Sequence, residues 1–194
     1  MKKRERTVTL VLGGARSGKS RWAQERASQF RRVVFVATAR GRDAEMRYKI
    51  ARHRAERSPA WKTVEAPVYL AEAIRSESRN ADVVLIDCLT LYVDNVMRYG
   101  PKAQSRNHHH LAKLCEAIKT CGTSIIVVSN EVGSGIVPAF RSGRAYRELL
   151  GQLNQEVAAL ADNVVLLVAG IPLPIKGRLG GSATGKRTAE KAQV

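Results

Sequence analysis

The run Val8-Thr9-Leu10-Val11-Leu12-Gly13-Gly14-Ala15-Arg16-Ser17-Gly18-Lys19-Ser20 decides the fold of this chain. Its first five residues are apolar and partly β-branched and stop abruptly at two glycines, which reads as a buried strand entering a tight loop. Residues 13–20 then match the spacing G-x-x-x-x-G-K-[ST], between that strand and a predicted helix over 21–29. Gly13, Gly14 and Gly18 are expected to open backbone conformations closed to other residues. Successive N–H groups can then converge on phosphate oxygens at the positive end of the helix. Lys19 supplies a mobile point charge for terminal phosphates, and Ser20 supplies a hydroxyl ligand for Mg²⁺.

Working outward, similar apolar runs recur at 33–37, 83–86, 125–128 and 164–168, and a shorter strand is expected at 62–65. The segments between them are long enough for helices, including 146–160, and this alternation implies near-continuous apolar strands covered on both faces. The fold class is therefore α/β: a three-layer, P-loop NTPase-like domain with a mostly parallel sheet. Residues 43–56 read as a further helix, with Asp43 as N-cap and Met46, Ile50 and His53 stacked at i, i+4, i+7 on a face expected to look inward. Residues 98–107 read as a loop, and the triplet His108, His109, His110 as its junction with a helix, with exposed imidazoles favoured over metal ligation. The expected organisation is a basic extension over 1–6, one domain over 7–175 and a disordered basic tail over 176–194.

Composition narrows the function. A chain of 194 residues with 44% apolar and 26% charged residues suits one folded domain rather than a disordered segment. No apolar run reaches the ~18 residues of a membrane helix. The basic start followed by 8–12 is too short for a secretory leader. The three cysteines, Cys88, Cys115 and Cys121, have neither disulfide-framework nor zinc spacing, so a reducing cytoplasm is expected. Net charge is +16, yet residues 16–62 hold 14 basic and 4 acidic side chains whereas 63–175 hold 10 and 11. A local cationic field without interleaved aromatics suits a polyphosphate ligand better than a nucleic-acid backbone.

Two further residues carry chemistry. Asp87 closes the strand 83–86 at the carboxyl end of a parallel sheet, where it reads either as a second metal ligand or as a turn or capping aspartate. His53, taken alone, reads either as a packed or solvated side chain or as a nucleophile. Arg52, Arg54 and Arg57 disfavour a charged imidazolium and could neutralise a transferred phosphoryl group. Glu131, just after the strand 125–128, reads equally as a loop-stabilising acceptor and as a substrate contact.

The strings Gly13 to Arg21 (GGARSGKSR), Ala37-Thr38, Asp43-Ala44-Glu45-Met46 leading to Ile50 and His53, Trp61 with Glu65, and NEVG-S-GIVP over 130–138 occur in one order. In these the chain resembles the bifunctional adenosylcobinamide kinase and adenosylcobinamide-phosphate guanylyltransferase family of cobalamin biosynthesis. The resemblance implies that ATP or GTP phosphorylates the aminopropanol hydroxyl of adenosylcobinamide. A histidine, here His53, then takes GMP from GTP and passes it to adenosylcobinamide phosphate, giving adenosylcobinamide-GDP. It also implies GTP contacts at residues 13–20, at Ala37, Thr38 and Ala39, at Arg54, Ala55, Glu56 and Arg57, and at Glu65 and Asp87, together with a homotrimer. The chain departs from the family pattern at Arg52, where a second histidine is common, and at Asp87, where a glutamate is familiar. The rival readings are a small-molecule kinase that leaves His53 idle and a nucleic-acid-dependent ATPase.

Overall fold

The computed structural model describes residues 5–55, 57–99 and 104–178. The strands are β1 (Val8–Gly13), β2 (Val33–Ala37), β3 (Lys62–Glu65), β4 (Val83–Asp87), β5 (Ser124–Val128), β6 (Asn163–Val168) and β7 (Ile171–Lys176). They form one sheet in the order β3-β2-β4-β5-β1-β6-β7. All neighbours pair in parallel except β6 and β7. The α/β, mostly parallel architecture expected from the apolar runs is the one observed.

Alternation along each strand generates the layers. Val8, Leu10, Val34, Val36, Val84, Ile86, Ile125 and Val127 belong to one buried cluster, which is shared with α3 (Leu70–Glu77), α4 (Leu89–Tyr99), α5 (Gln104–Thr120) and α6 (Arg141–Leu160). The intervening residues Val11, Phe35, Val83, Leu85, Ile126 and Val128 belong to a second cluster with Ala23 and Ala27 of α1 (Lys19–Ala27). Because successive side chains of a strand point to opposite faces, strands apolar at every position demand a cover on both sides. The chain thus leaves β1 for one face and its neighbour β5 for the other. That divergence opens a crevice at the carboxyl ends of the strands, where ligands of such sheets bind.

Helix α2 (Ala44–Ala55) belongs to neither layer: none of its residues is buried. Its start is as read, since the Met46 N–H donates to Asp43 Oδ1 at 2.7 Å. The stripe Met46, Ile50, His53 is half-buried while the remaining positions are exposed, so the expected face is correct but it rests at the rim of the sheet rather than in the core.

Other expectations are corrected. Helix α4 runs to Tyr99 and α5 begins at Gln104, so most of the expected loop over 98–107 is helical and His108 to His110 lie within α5. The buried stripe Leu111, Leu114 and Ile118 anchors α5, and its polar first turns simply extend that helix. Strand β7 is unannounced because Pro172 and Pro174 interrupt it; an edge strand tolerates prolines that an interior one does not. Lys176 ends this strand rather than opening a tail, and its ammonium donates to the Ala158 and Ala159 carbonyls at the end of α6. Of the expected extension and tail, residues 1–4 and 179–194 lie outside the described residues.

Candidate functional site

The loop after β1 wraps the start of α1. Gly13 has φ 150° and Gly18, the left-handed N-cap of α1, has φ 91°. A Cβ on Gly13 would lie 2.5 Å from the Leu167 carbonyl oxygen and 2.6 Å from Ser17 Oγ. Gly14 differs: its φ is not positive, and no atom lies within 4 Å of a Cβ built there. The expectation of one backbone role for all three glycines therefore fails at Gly14, whose missing side chain keeps the open side of the loop clear. Gly13→Ala should cost about 2–4 kcal/mol in urea unfolding, from strain and overpacking. Gly14→Ala should stay within about 0.5 kcal/mol yet weaken nucleotide binding. Equal destabilisation by the two would contradict this division.

Lys19 is only 7% exposed. Its ammonium donates to the Gly14 carbonyl at 2.5 Å and reaches Ser17 Oγ at 3.4 Å, so it is turned along the loop and not into the core. Burial lowers its pKa, and nearby Cys88 and Asp87 oppose that shift. A desolvated ammonium whose neighbours only partly compensate it is suited to receive phosphate charge.

Asp87 collects the other charged groups. It ends β4 opposite Ala37 of β2 and Val128 of β5, and Ala37 in turn pairs with Glu65 of β3, so parallel register brings Asp87, Ala37 and Glu65 to one edge. Burial raises the Asp87 pKa. The Ser20 hydroxyl bond pulls it back, and so do the charges of His53, Arg57 and Lys19. The histidine on α2 and the lysine of the phosphate loop thus act on one carboxylate. The arginines beside His53 are its neighbours in sequence, whereas Asp87 comes from a strand more than thirty residues away in the chain.

Arg57 follows α2 and lays its guanidinium over Phe35, 3.7 Å from the ring centroid, with a buried Nε that has no hydrogen-bond partner. Burial lowers its pKa, Asp87 and Glu65 attract its charge, and Arg54 repels it. Arg54 and Ala55 are exposed, as are Ala15 and Arg16 of the loop, whereas Ser17 is buried. Glu56 lies outside the described residues.

Thr38 is fully buried, and its hydroxyl is committed to the β4 terminus: Oγ1 accepts from the Cys88 N–H at 2.8 Å and donates to the Cys88 carbonyl at 2.7 Å. Ala39 beside it is half-buried. Asn95, not singled out in the sequence, donates to the Thr38 carbonyl at 2.7 Å and accepts from Arg42 at 2.5 Å. It fixes the segment leading to α2. The available signal was one amide in the apolar stripe Leu89, Tyr92, Val93, Val96 of α4. Glu131 acts as a loop-stabilising acceptor, its carboxylate accepting from the Gly133 N–H at 2.5 Å, and it is exposed.

The oxygen donors of Ser20 and Asp87 suit a hard divalent cation. Among the described residues no group of three His, Cys, Asp or Glu could hold a metal unaided. Two protein oxygens completed by substrate phosphates is the usual arrangement for Mg²⁺.

The description cobinamide kinase / cobinamide phosphate guanyltransferase matches residues 9–175. The bifunctional adenosylcobalamin biosynthesis protein CobP of Pseudomonas aeruginosa is 40% identical over 169 residues, covering 87% of this chain and 96% of that protein. Its counterpart CobU of Escherichia coli K12 is 37% identical over 181 residues, covering 87% and 99%. Among solved structures, the ATPase EscN of the enteropathogenic E. coli type III secretion system aligns with TM-score 0.56 at 12% identity, over 84% of this chain and 43% of its own. A Pyrococcus horikoshii OT3 protein aligns with TM-score 0.53 at 8% identity, over 88% and 86%. The last two are similar in fold alone.

Proposed function

Because the chain belongs to the cobinamide kinase / cobinamide phosphate guanyltransferase family, we propose that one crevice serves both reactions, with His53 carrying GMP between them. The enzyme phosphorylates adenosylcobinamide with ATP or GTP and then converts the product to adenosylcobinamide-GDP. The observation that best supports a shared crevice is that Val11, just before the phosphate loop, and Asp87 both pair with Val128 of β5, which puts Lys19, Ser20 and Asp87 at one edge of the sheet, where the His53 charge also lowers the Asp87 pKa.

In the kinase step the loop N–H groups and Lys19 hold the polyphosphate while the substrate hydroxyl attacks the terminal phosphorus. In the second reaction a neutral His53 nitrogen attacks the α-phosphorus of GTP. A P–N bond forms, the Pα–O bond to the β-phosphate breaks, pyrophosphate leaves, and the imidazolium gives its remaining N–H proton to water. A phosphate oxygen of adenosylcobinamide phosphate then attacks the same phosphorus, the P–N bond breaks, the departing ring takes a proton back from water to regenerate neutral His53, and the new P–O–P linkage is formed. Arg57, stacked on Phe35, is placed to offset charge on the transferred group, and Asp87 balances the basic helix that bears His53. Mg²⁺ held by Ser20 and Asp87 would neutralise phosphate charge in both steps. Splitting the transfer in two lets pyrophosphate depart before the large corrinoid arrives.

We read residues 7–175 as the single catalytic domain and the cytoplasm as its location, a reading supported by three free cysteines. No helix among the described residues is long and apolar enough to cross a membrane. We read the assembly as a homotrimer by family resemblance, and the exposed row Ile171, Leu173, Ile175 on β7 offers an apolar surface for association. Incubation with adenosylcobinamide and excess GTP should give adenosylcobinamide-GDP by chromatography. Accumulation of the monophosphate alone would reduce the enzyme to a plain kinase.

A further inference from the structure

The segment between β5 and α6 exposes three large apolar side chains: Ile136 at 96%, Val137 at 63% and Phe140 at 79%. Such a cluster on a slack loop would mean little, but this backbone is held. Arg147 of α6 donates to the Gly133 and Gly135 carbonyls. Arg144 donates to those of Pro138 at 3.0 Å and Ala139 at 2.6 Å. Helix α6 also closes on the loop at Gly143, where a Cβ would fall 2.8 Å from the Pro138 side chain. Two guanidinium groups therefore fix the carbonyls while the apolar side chains face water. A rigid apolar surface loses little further freedom on binding, which is what a docking surface requires.

The loop also borders the nucleotide crevice. The Glu131 N–H donates to the Gly13 carbonyl at 3.2 Å, and the Asn130 N–H to Thr90 Oγ1 at 3.0 Å, so it bridges the phosphate loop and the segment just past Asp87. Resting on the functional reading above, we propose that Ile136, Val137 and Phe140 form the platform on which the corrin ring docks while its aminopropanol arm reaches the phosphates. Only the hydroxyl at the end of the aminopropanol arm has to reach the phosphates, so the ring itself need not enter the crevice. The arm spans about three residues of extended chain, roughly 10 Å, so the ring must settle on protein next to the loop. Its rim of methyl and amide groups matches apolar side chains set among peptide groups, and aromatic and aliphatic anchors of this kind dominate binding energy.

The test is equilibrium dialysis of the full-length protein against cobinamide, followed by corrin absorption, for wild type, Ile136→Ser, Phe140→Ser and Ile136→Leu. Each serine variant should bind about tenfold more weakly, the worth of one buried apolar side chain, and Ile136→Leu should bind as wild type. Labelling by α-labelled GTP and the gel-filtration mass should not change in any variant. Wild-type affinity in both serine variants, or no cobinamide binding by wild type, overturns the proposal. So does a fall in mass accompanying the weaker binding, which would assign the surface to a second copy of the chain. Should Phe140→Ser fail to fold, Ile136→Ser alone decides, because that side chain touches almost nothing. If wild type binds cobinamide through this loop yet forms no GDP product, the functional reading fails and the docking platform stands.

Discussion

His53→Ala should yield a protein that takes up no label from α-phosphate-labelled GTP, whereas wild type forms an acid-labile, alkali-stable adduct. Loss of a covalent nucleophile removes the intermediate altogether, so guanylyl transfer should fall by about 10³-fold or more. Phosphorylation of adenosylcobinamide does not need the imidazole and should stay within about fivefold. Stability should hardly change, because α2 buries none of its residues and His53 lies only half-covered at the rim. An adduct retained by the variant would assign the GMP to another residue. Label from γ-labelled GTP alone would show that terminal phosphate, not GMP, is being captured.

Lys19→Met should abolish both activities together, by about 10²–10³-fold in each, because the same ammonium faces the polyphosphate in either half of the cycle. The contrast with His53 is the diagnostic feature: one substitution silences the second reaction, the other silences both. Methionine keeps the apolar stem that fills this nearly closed position. Burial lowers the lysine pKa, so the fold holds the charged form at a cost, and removing the charge relieves it. The melting temperature without nucleotide should be no lower than that of wild type. A Lys19→Met enzyme that still forms the GMP adduct at wild-type rate would separate the phosphate loop from the histidine chemistry and break the single-crevice reading.

The two residues were legible to different degrees, for physical reasons. Lys19 sits in an eight-residue segment whose function is local: backbone N–H groups, a helix N-terminus and one charge lie within a few bonds of one another, so the spacing alone carries the chemistry. His53 has no such signature. Its helix has acidic and basic neighbours in sequence, and Asp87, whose carboxyl pKa the His53 charge lowers, arrives only when β2 pairs with β4 and sets Ala37 opposite that carboxylate. Thr38 illustrates the same limit, since nothing in its sequence neighbourhood announces that the fold pairs its hydroxyl with Cys88.

From the residues alone came the parallel strands, the phosphate loop and the strand-end aspartate, each of which depends on periodicity or on neighbours in the chain that an unfolded polypeptide already possesses; the family came from resemblance across five ordered motifs. Tertiary structure decided which groups come together: His53 near enough to lower the Asp87 pKa, Arg57 over Phe35, and the arginines of α6 on the carbonyls that hold Ile136 and Phe140 outward. The first two join different strands and helices and require the sheet to pair and bury its faces, whereas the third requires only that the loop fold back along α6.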